Sequence, residues 1–410
     1  LILAVPAAAA LVAWVLWDQA QVRRDAQEAR EAVASGDYER AREPLANWRR
    51  RRPDSLEALR LQARVFLGLG RNEEAAETLR ALREQGGTGA PVEALEAVLL
   101  ARAGRHGEAE PILLRVDDRR DSPDPLIAEA LARVYLETFR LGAAQAVIDR
   151  WARAAPDDPT PYLWRAEIHE RSSDDPEPLI GDYLEALARQ PDLGEAQREL
   201  AESLRRANRL DEARARFAAY LEQHPDDTEA LVGAARTALS LADFDEAARH
   251  LDRALALDPK LSVAFHERGG LSLNRNQPVK AWEDLSRAVE LEPDNPDYRA
   301  RLALALARLG RSQEAEAEAK RAEALRAERE ELLRLRDRLV RSPQDRAVQC
   351  EAARWLIEHG HDEEGLRWAR KVLAEEPGNR GMHALLADYF DRRGEAGLAN
   401  YHRFQLGPSP

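Results

Sequence analysis

The residues best suited to chemistry are His359-Gly360-His361-Asp362, followed by Glu363 and Glu364. Imidazoles and carboxylates are metal-ligand types. Here they fall in a turn between two helical stretches, where exposed histidines and acids are ordinary, and no metal site is expected. The chain has no Gly-rich phosphate loop, no H-E-x-x-H, no C-x-x-C and no G-x-S-x-G. The lone Cys350 supports neither an intrachain disulfide nor a multi-thiolate centre. These absences point away from an enzyme and call for no cofactor and no small-molecule substrate. A second cluster, Arg49-Arg50-Arg51-Arg52, follows Trp48. Four guanidinium groups suit an acidic lipid surface. They equally suit an exposed helix C-terminus, where positive charge opposes the macrodipole.

Charge narrows the partners. Asp and Glu number 74 against 61 Lys and Arg, for a net charge of -13 and a pI near 5.4. Such a balance repels phosphate backbones, so no nucleic-acid role is expected. Only four of the basic residues are Lys, which reads as GC-rich, bacterial coding. Ala, Leu, Glu and Arg dominate, the chemistry of helices.

The elements that carry these residues repeat. Pro191, Pro225, Pro259 and Pro293 lie 34 residues apart, as do Pro343 and Pro377. A fixed period of this size marks a repeat architecture. Between Thr228 and Pro259, Leu231, Ala234, Ala235 and Ala238 share one helical face. Leu241 to Asp245 makes a turn, and Ala247, Leu251 and Ala254 continue on a second helix. Pro259 ends it, having no N–H and disfavouring helix in the residue before it. From Pro293 to Pro343 is 50 residues. Gln313 to Val340 contains no Pro or Gly and reads as one long helix, with Leu325, Leu332 and Leu339 seven apart. Arg329 and Arg336 at the companion positions spoil a coiled-coil seam, so an elongated second helix packing on the next unit is expected.

Leu1 to Trp17 carries no charge. At 1.5 Å per residue it would span about 25 Å, near the thickness of a bilayer core. Trp14 and Trp17 sit where interfacial aromatics belong. A single-pass membrane anchor is expected, with residues missing upstream because the chain begins with Leu. The competing reading is a signal peptide cleaved after Ala8-Ala9-Ala10. Arg23 and Arg24 favour an array on the cytoplasmic side, so the side is undecided.

The repeat resembles the tetratricopeptide repeat. Small pairs stand at Ala201/Ala213, Ala235/Ala247, Gly269/Ala281 and Ala303/Ala315, with Phe217, Leu251 and Leu285 at the large position. Looser matches are Ala29/Ala41 with Pro53, Ala63/Ala75, Ala97/Ala109, and Ala132/Ala144 with Tyr135 and Pro156. The unit near 160–191 departs, since Ser172 to Pro178 loosens its turn. The resemblance covers roughly residues 22–405. It implies an all-α, right-handed solenoid of antiparallel helical hairpins behind an N-terminal transmembrane helix, of the bacterial membrane-anchored type. Many such proteins export the array, which tilts the expected location toward the periplasm. The expected division is 1–17 anchor, 18–312 repeat array, 313–345 long helix, and 346–410 C-terminal hairpins and tail.

Function follows the resemblance: a membrane-tethered scaffold that binds a protein or peptide segment in a concave groove and catalyses nothing itself. A structural or self-assembly spacer is the alternative; an unrecognised metal or catalytic site is a third. In the proteins it resembles, the first helix of each hairpin lines the groove. Carried over, the groove residues are Arg198, Glu202 and Arg205, then Val232, Arg236 and Leu239. They continue through His266, Leu273, Asn274, Leu304 and Arg308. This set suits an extended segment with apolar anchors and one or two carboxylates. The lysine-and-asparagine clamp of the chaperone-tail-binding members is absent.

Overall fold

A computed structural model describes residues 4–117, 124–138, 140–172, 175–342 and 344–407. No strand occurs among them. The chain divides into two compact units, 1–225 and 226–410. Unit 1 holds α1 (Ala4–Ala34), α2 (Tyr38–Arg51), α3 (Leu56–Gly68), α4 (Asn72–Glu84), α5 (Ala90–Arg102) and α6 (His106–Asp117). It continues with α7 (Pro125–Glu137), α8 (Leu141–Ala154), α9 (Thr160–Ser172), α10 (Glu177–Arg189), α11 (Gly194–Arg206) and α12 (Leu210–Gln223). Unit 2 holds α13 (Thr228–Ser240), α14 (Phe244–Leu257), α15 (Ser262–Asn274), α16 (Pro278–Leu291) and α17 (Pro296–Arg308). It ends with α18 (Ser312–Arg341), α19 (Arg346–Glu358), α20 (Asp362–Glu375), α21 (Arg380–Arg392) and α22 (Ala396–Leu406). Each unit is a solenoid: consecutive helices pair into hairpins, and hairpins stack on one another.

The small residues explain why the hairpins close. Ala29, Ala41, Ala63, Ala75, Ala97 and Ala109 are fully buried, as are Ala201, Ala213, Ala235 and Ala247. A larger side chain at these places would hold the two helix axes apart. Gly269 shows the limit, since an added Cβ would lie 2.5 Å from Leu285 Cγ. The large side chains Phe217, Leu251 and Leu285 are buried and fill the space left over within the hairpin stacks.

The Pro-Asp junctions act in two steps. Pro ends one hairpin, and the acid or amide that follows caps the next. Asp227 accepts from the Glu229 and Ala230 amides at 3.0 Å, and Asn295 from the Asp297 amide at 3.1 Å. These contacts satisfy amides the helix leaves unpaired. The central turns are shorter than expected. α14 begins at Phe244, because Asp243 caps it by accepting from the Glu246 amide at 3.1 Å. α18 serves two neighbours: Ala315 packs in the cluster with α17, while Leu335 and Leu339 pack with Val348, Ala352 and Leu356 of α19.

The expected membrane anchor at 1–17 is overturned, and with it the membrane localisation and the lean toward the periplasm. Among the described residues no helix is long and apolar enough to cross a membrane. Leu1–Leu3 lie outside those residues. The apolar part of α1 runs from Ala4 to Trp17. Beyond it the helix turns polar without a break. Asp18 pairs with Arg51 and Arg52 at 3.4 and 3.1 Å, and Ala29 and Ala32 pack beneath Leu45 and Trp48.

Candidate partner-binding site

In unit 2 the first helices of successive hairpins, α13, α15 and α17, lie side by side. One cluster ties all three together. Arg236 of α13 donates from Nε to Glu267 Oε1 of α15 at 2.8 Å. Arg301 of α17 reaches Glu267 Oε2 and the His266 carbonyl from Nη1, at 3.3 and 3.4 Å. Arg301 can lie across α15 because position 270 is glycine; a Cβ there would stand 2.6 Å from Nη1. Burial works to raise the Glu267 pKa, but the His266 imidazole and the Arg236 guanidinium outweigh it and hold it at about 2.

His266 is the unusual member. It is 8% exposed, its ring stacks on Tyr298 with centroids 4.6 Å apart, and neither ring nitrogen has a hydrogen-bond partner. Its Nδ1 is 3.8 Å from Glu267 Oε1, too far for a hydrogen bond. A buried imidazole without partners costs stability. Two guanidinium groups and this imidazole surround a single carboxylate, which leaves donors for a further acceptor.

The other expected groove residues divide. Val232 and Leu273 are each 4% exposed; they belong to the core beneath the helix layer and present nothing to a partner. Leu239 is half-buried, Asn274 is exposed, and Leu304 is 47% exposed. Arg308 donates to the Leu273 carbonyl at 2.6 Å and so caps the end of α15. In unit 1, Arg205 pairs with Glu202 at 2.9 Å, and Arg198 with Glu199 at 2.9 Å. The Arg49–Arg52 run is tied down in part: Arg51 donates to Asp25 at 2.8 Å and lies over the Trp17 ring. His359 donates from Nδ1 to the Trp355 carbonyl at 2.8 Å and stacks on that indole.

Sequence reasoning missed a cavity of about 860 Å³ in unit 1, between α9, α10 and α11. Its acids follow the same spacing as solvated helix faces. The only signal was the loosened turn of the irregular hairpin beside it.

Tetratricopeptide-repeat family models match residues 204–266 in one case and 27–90 and 271–329 in another. The chain carries tetratricopeptide repeats over those residues. Solved structures with a related fold include PilW, a type IV pilus biogenesis factor, at 23% identity over 48% of this chain and 91% of that one, with a TM-score of 0.44. YrrB, a tetratricopeptide-repeat protein with an unusual peptide-binding site, is 18% identical over 45% and 95%, with a TM-score of 0.40. MamA is 18% identical over 42% and 94%, with a TM-score of 0.36. At these values the likenesses say nothing of ligand or partner. No functionally curated protein matches the chain. Repeats of this family mediate protein–protein contacts, and the chain is an interaction scaffold in that general sense.

Proposed function

We propose that the layer formed by α13, α15 and α17 receives an extended protein segment carrying an apolar side chain and a carboxylate. The observation that carries this reading is His266, buried with both ring nitrogens unpartnered beside two guanidinium groups that share one acid. A carboxylate from a partner would give that excess of donors an acceptor. Leu304, exposed on the same layer, supplies the apolar contact.

The test is a pull-down followed by titration. Arg236→Glu combined with His266→Ala should weaken the captured partner at least tenfold. Arg249→Glu with Arg253→Glu, at exposed positions of α14, should change affinity less than twofold. Equal effects from the two pairs, with helicity intact, would move the binding surface elsewhere. The self-assembly reading has one observation in its favour: Leu398, Tyr401 and Phe404 of α22 are 45%, 56% and 82% exposed. A sedimentation profile that is monomeric at all concentrations removes it.

A further inference from the structure

The walls of the unit 1 cavity are of two kinds. Trp164 of α9 and Tyr183 of α10 supply aromatic surface, and Glu170, Asp192, Glu195 and Glu199 supply carboxylates. At about 860 Å³ it falls in the range of sites that enclose a ligand group. The indole is held in place by Arg133 of α7, whose guanidinium lies 5.1 Å from the ring centre.

The negative charge of this wall is only partly matched. Glu199 pairs with Arg198 at 2.9 Å and Glu170 with Arg206 at 3.3 Å. Asp192 and Glu195 have no ion-pair partner among the described residues. Burial raises the Glu199 pKa; Arg198 opposes this, and Glu170, Glu202 and Glu195 add to it. Burial, then Glu199, Glu170 and Glu195, push the Tyr183 phenol up as well. A half-buried carboxylate among like charges is relieved when a cation enters.

We propose that this cavity binds an arginine side chain of a protein partner, with the guanidinium against Trp164 and Tyr183 and its N–H groups directed to Glu195 and Glu199. The site goes beyond the groove of unit 2 and is tested apart from it. Charge complementarity selects a cation, and the aromatic walls select one with a planar, weakly hydrated face. A metal ion is a poor occupant, because among the described residues no three acids, histidines or cysteines come together closely enough to hold one. Five donors in a plane suit acids spread around a wall better than the compact charge of lysine does.

Fluorescence anisotropy with a labelled Gly-Arg-Gly-Arg-Gly peptide tests the assignment on the full chain at fixed salt. Trp164→Leu, which leaves net charge unchanged, should weaken binding at least tenfold. Glu195→Gln with Glu199→Gln should do the same, while Glu323→Gln with Glu330→Gln, the same charge change at exposed positions of α18, should cost less than twofold. Circular dichroism checks that each variant keeps its helicity. The acid variants keep the test decisive should the tryptophan variant unfold. Equal weakening by the two double variants would reduce the effect to overall charge and overturn the proposal. So would a lysine peptide that binds as tightly, or no binding at all. Arg236→Glu with His266→Ala should leave this affinity unchanged, which separates the cavity from the groove.

Discussion

The cavity of unit 1 and the centre of unit 2 stand on the same kind of hairpin, yet they carry opposite charge. Around the cavity, carboxylates outnumber their cationic partners and Glu199 is pushed up. On α13, α15 and α17, guanidinium groups crowd one carboxylate, and Glu267 is held at about 2. The difference shows how little the repeat restricts its surface. Fully buried alanines close the hairpins in both units, and positions facing away from them are free to hold either sign. It also shows that an ion-paired centre is not by itself a site. Unit 1 has its own guanidinium–carboxylate centre, Arg64 and Asp124, joined by two bonds of 2.6 and 2.8 Å with the Asp124 side chain 2% exposed. Asp124 also caps α7 through the Leu126 amide at 3.1 Å. That pair is sealed, whereas the Arg236 and Arg301 side chains are each 36% exposed.

Breaking the sealed pair should have the largest effect. Asp124→Ala strands a largely buried guanidinium and removes a cap, and should cost about 3–5 kcal/mol. Hydrogen exchange should accelerate in α3 and α7 and stay unchanged in α13 and α15. Uniform acceleration, or a loss below about 1 kcal/mol, would show that the pair is as weak as a surface one. Next come two acids shifted in opposite directions. Glu267, lowered from 4.5 to about 2, contributes stability that is full above pH 4.5 and is lost as pH falls toward 2. Glu199 is raised, so its folded state holds a proton longer than the unfolded chain does, and stability falls as pH rises above 4.5. At pH 7, Glu267→Gln should therefore cost roughly 1–3 kcal/mol after allowing for the exposed guanidinium groups. Glu199→Gln should raise the thermal midpoint or leave it level. Midpoints that shift in the same direction would cancel the contrast between the units.

Most of the fold was legible because it follows one period. Two helices that cross closely need small residues at the crossing, so Ala235/Ala247 and Ala201/Ala213 announce a hairpin wherever they recur. The long helix was legible for a similar reason, since nothing between Gln313 and Val340 could stop it. The site was legible only in part. A carried-over list names which helix faces the layer, not which side chains the next repeat covers, and Val232 and Leu273 went to the core. Charge partners obey no single period: Arg64 and Asp124 are 60 residues apart, and Arg236 and Glu267 are 31 apart. The abundance of arginine, read as coding bias, has a structural use. Arg102, Arg171 and Arg308 each donate to a carbonyl 35 residues earlier, at Leu67, Leu136 and Leu273. A guanidinium can cap the preceding repeat's helix while pairing with an acid, and a lysine's single ammonium lacks that fork. The apolar N-terminal run misled because the sequence does not show that its helix continues unbroken to Ala34 and packs Ala29 and Ala32 into the first hairpin.

The smallest effect expected lies at the turns, where a glycine turn of unit 1 is compared with one alanine turn of unit 2. The residue between the two helices of a hairpin takes a left-handed conformation. In unit 1 glycine fills it at Gly36, Gly70 and Gly104, with φ between 72° and 76°. In unit 2 it is again glycine at Gly310, Gly360 and Gly394, but the turn between α13 and α14 holds Ala242 at φ 59°. For an L-residue with a Cβ this conformation costs about 1–2 kcal/mol. Glycine removes that cost but loses about 0.4–1 kcal/mol through the greater freedom of the unfolded chain. Ala242→Gly should therefore stabilise unit 2 by about 0.5–1 kcal/mol, seen as slower hydrogen exchange in α13 and α14 with unit 1 unchanged. Ala242→Asn should fall between the two, because asparagine tolerates the left-handed region better than alanine does. The reverse exchange, Gly70→Ala, should destabilise unit 1 by a similar amount, since nothing lies within 4 Å of the added Cβ and only the backbone conformation is at stake. If Ala242→Gly loosens α13 and α14 instead, the turn holds no strain.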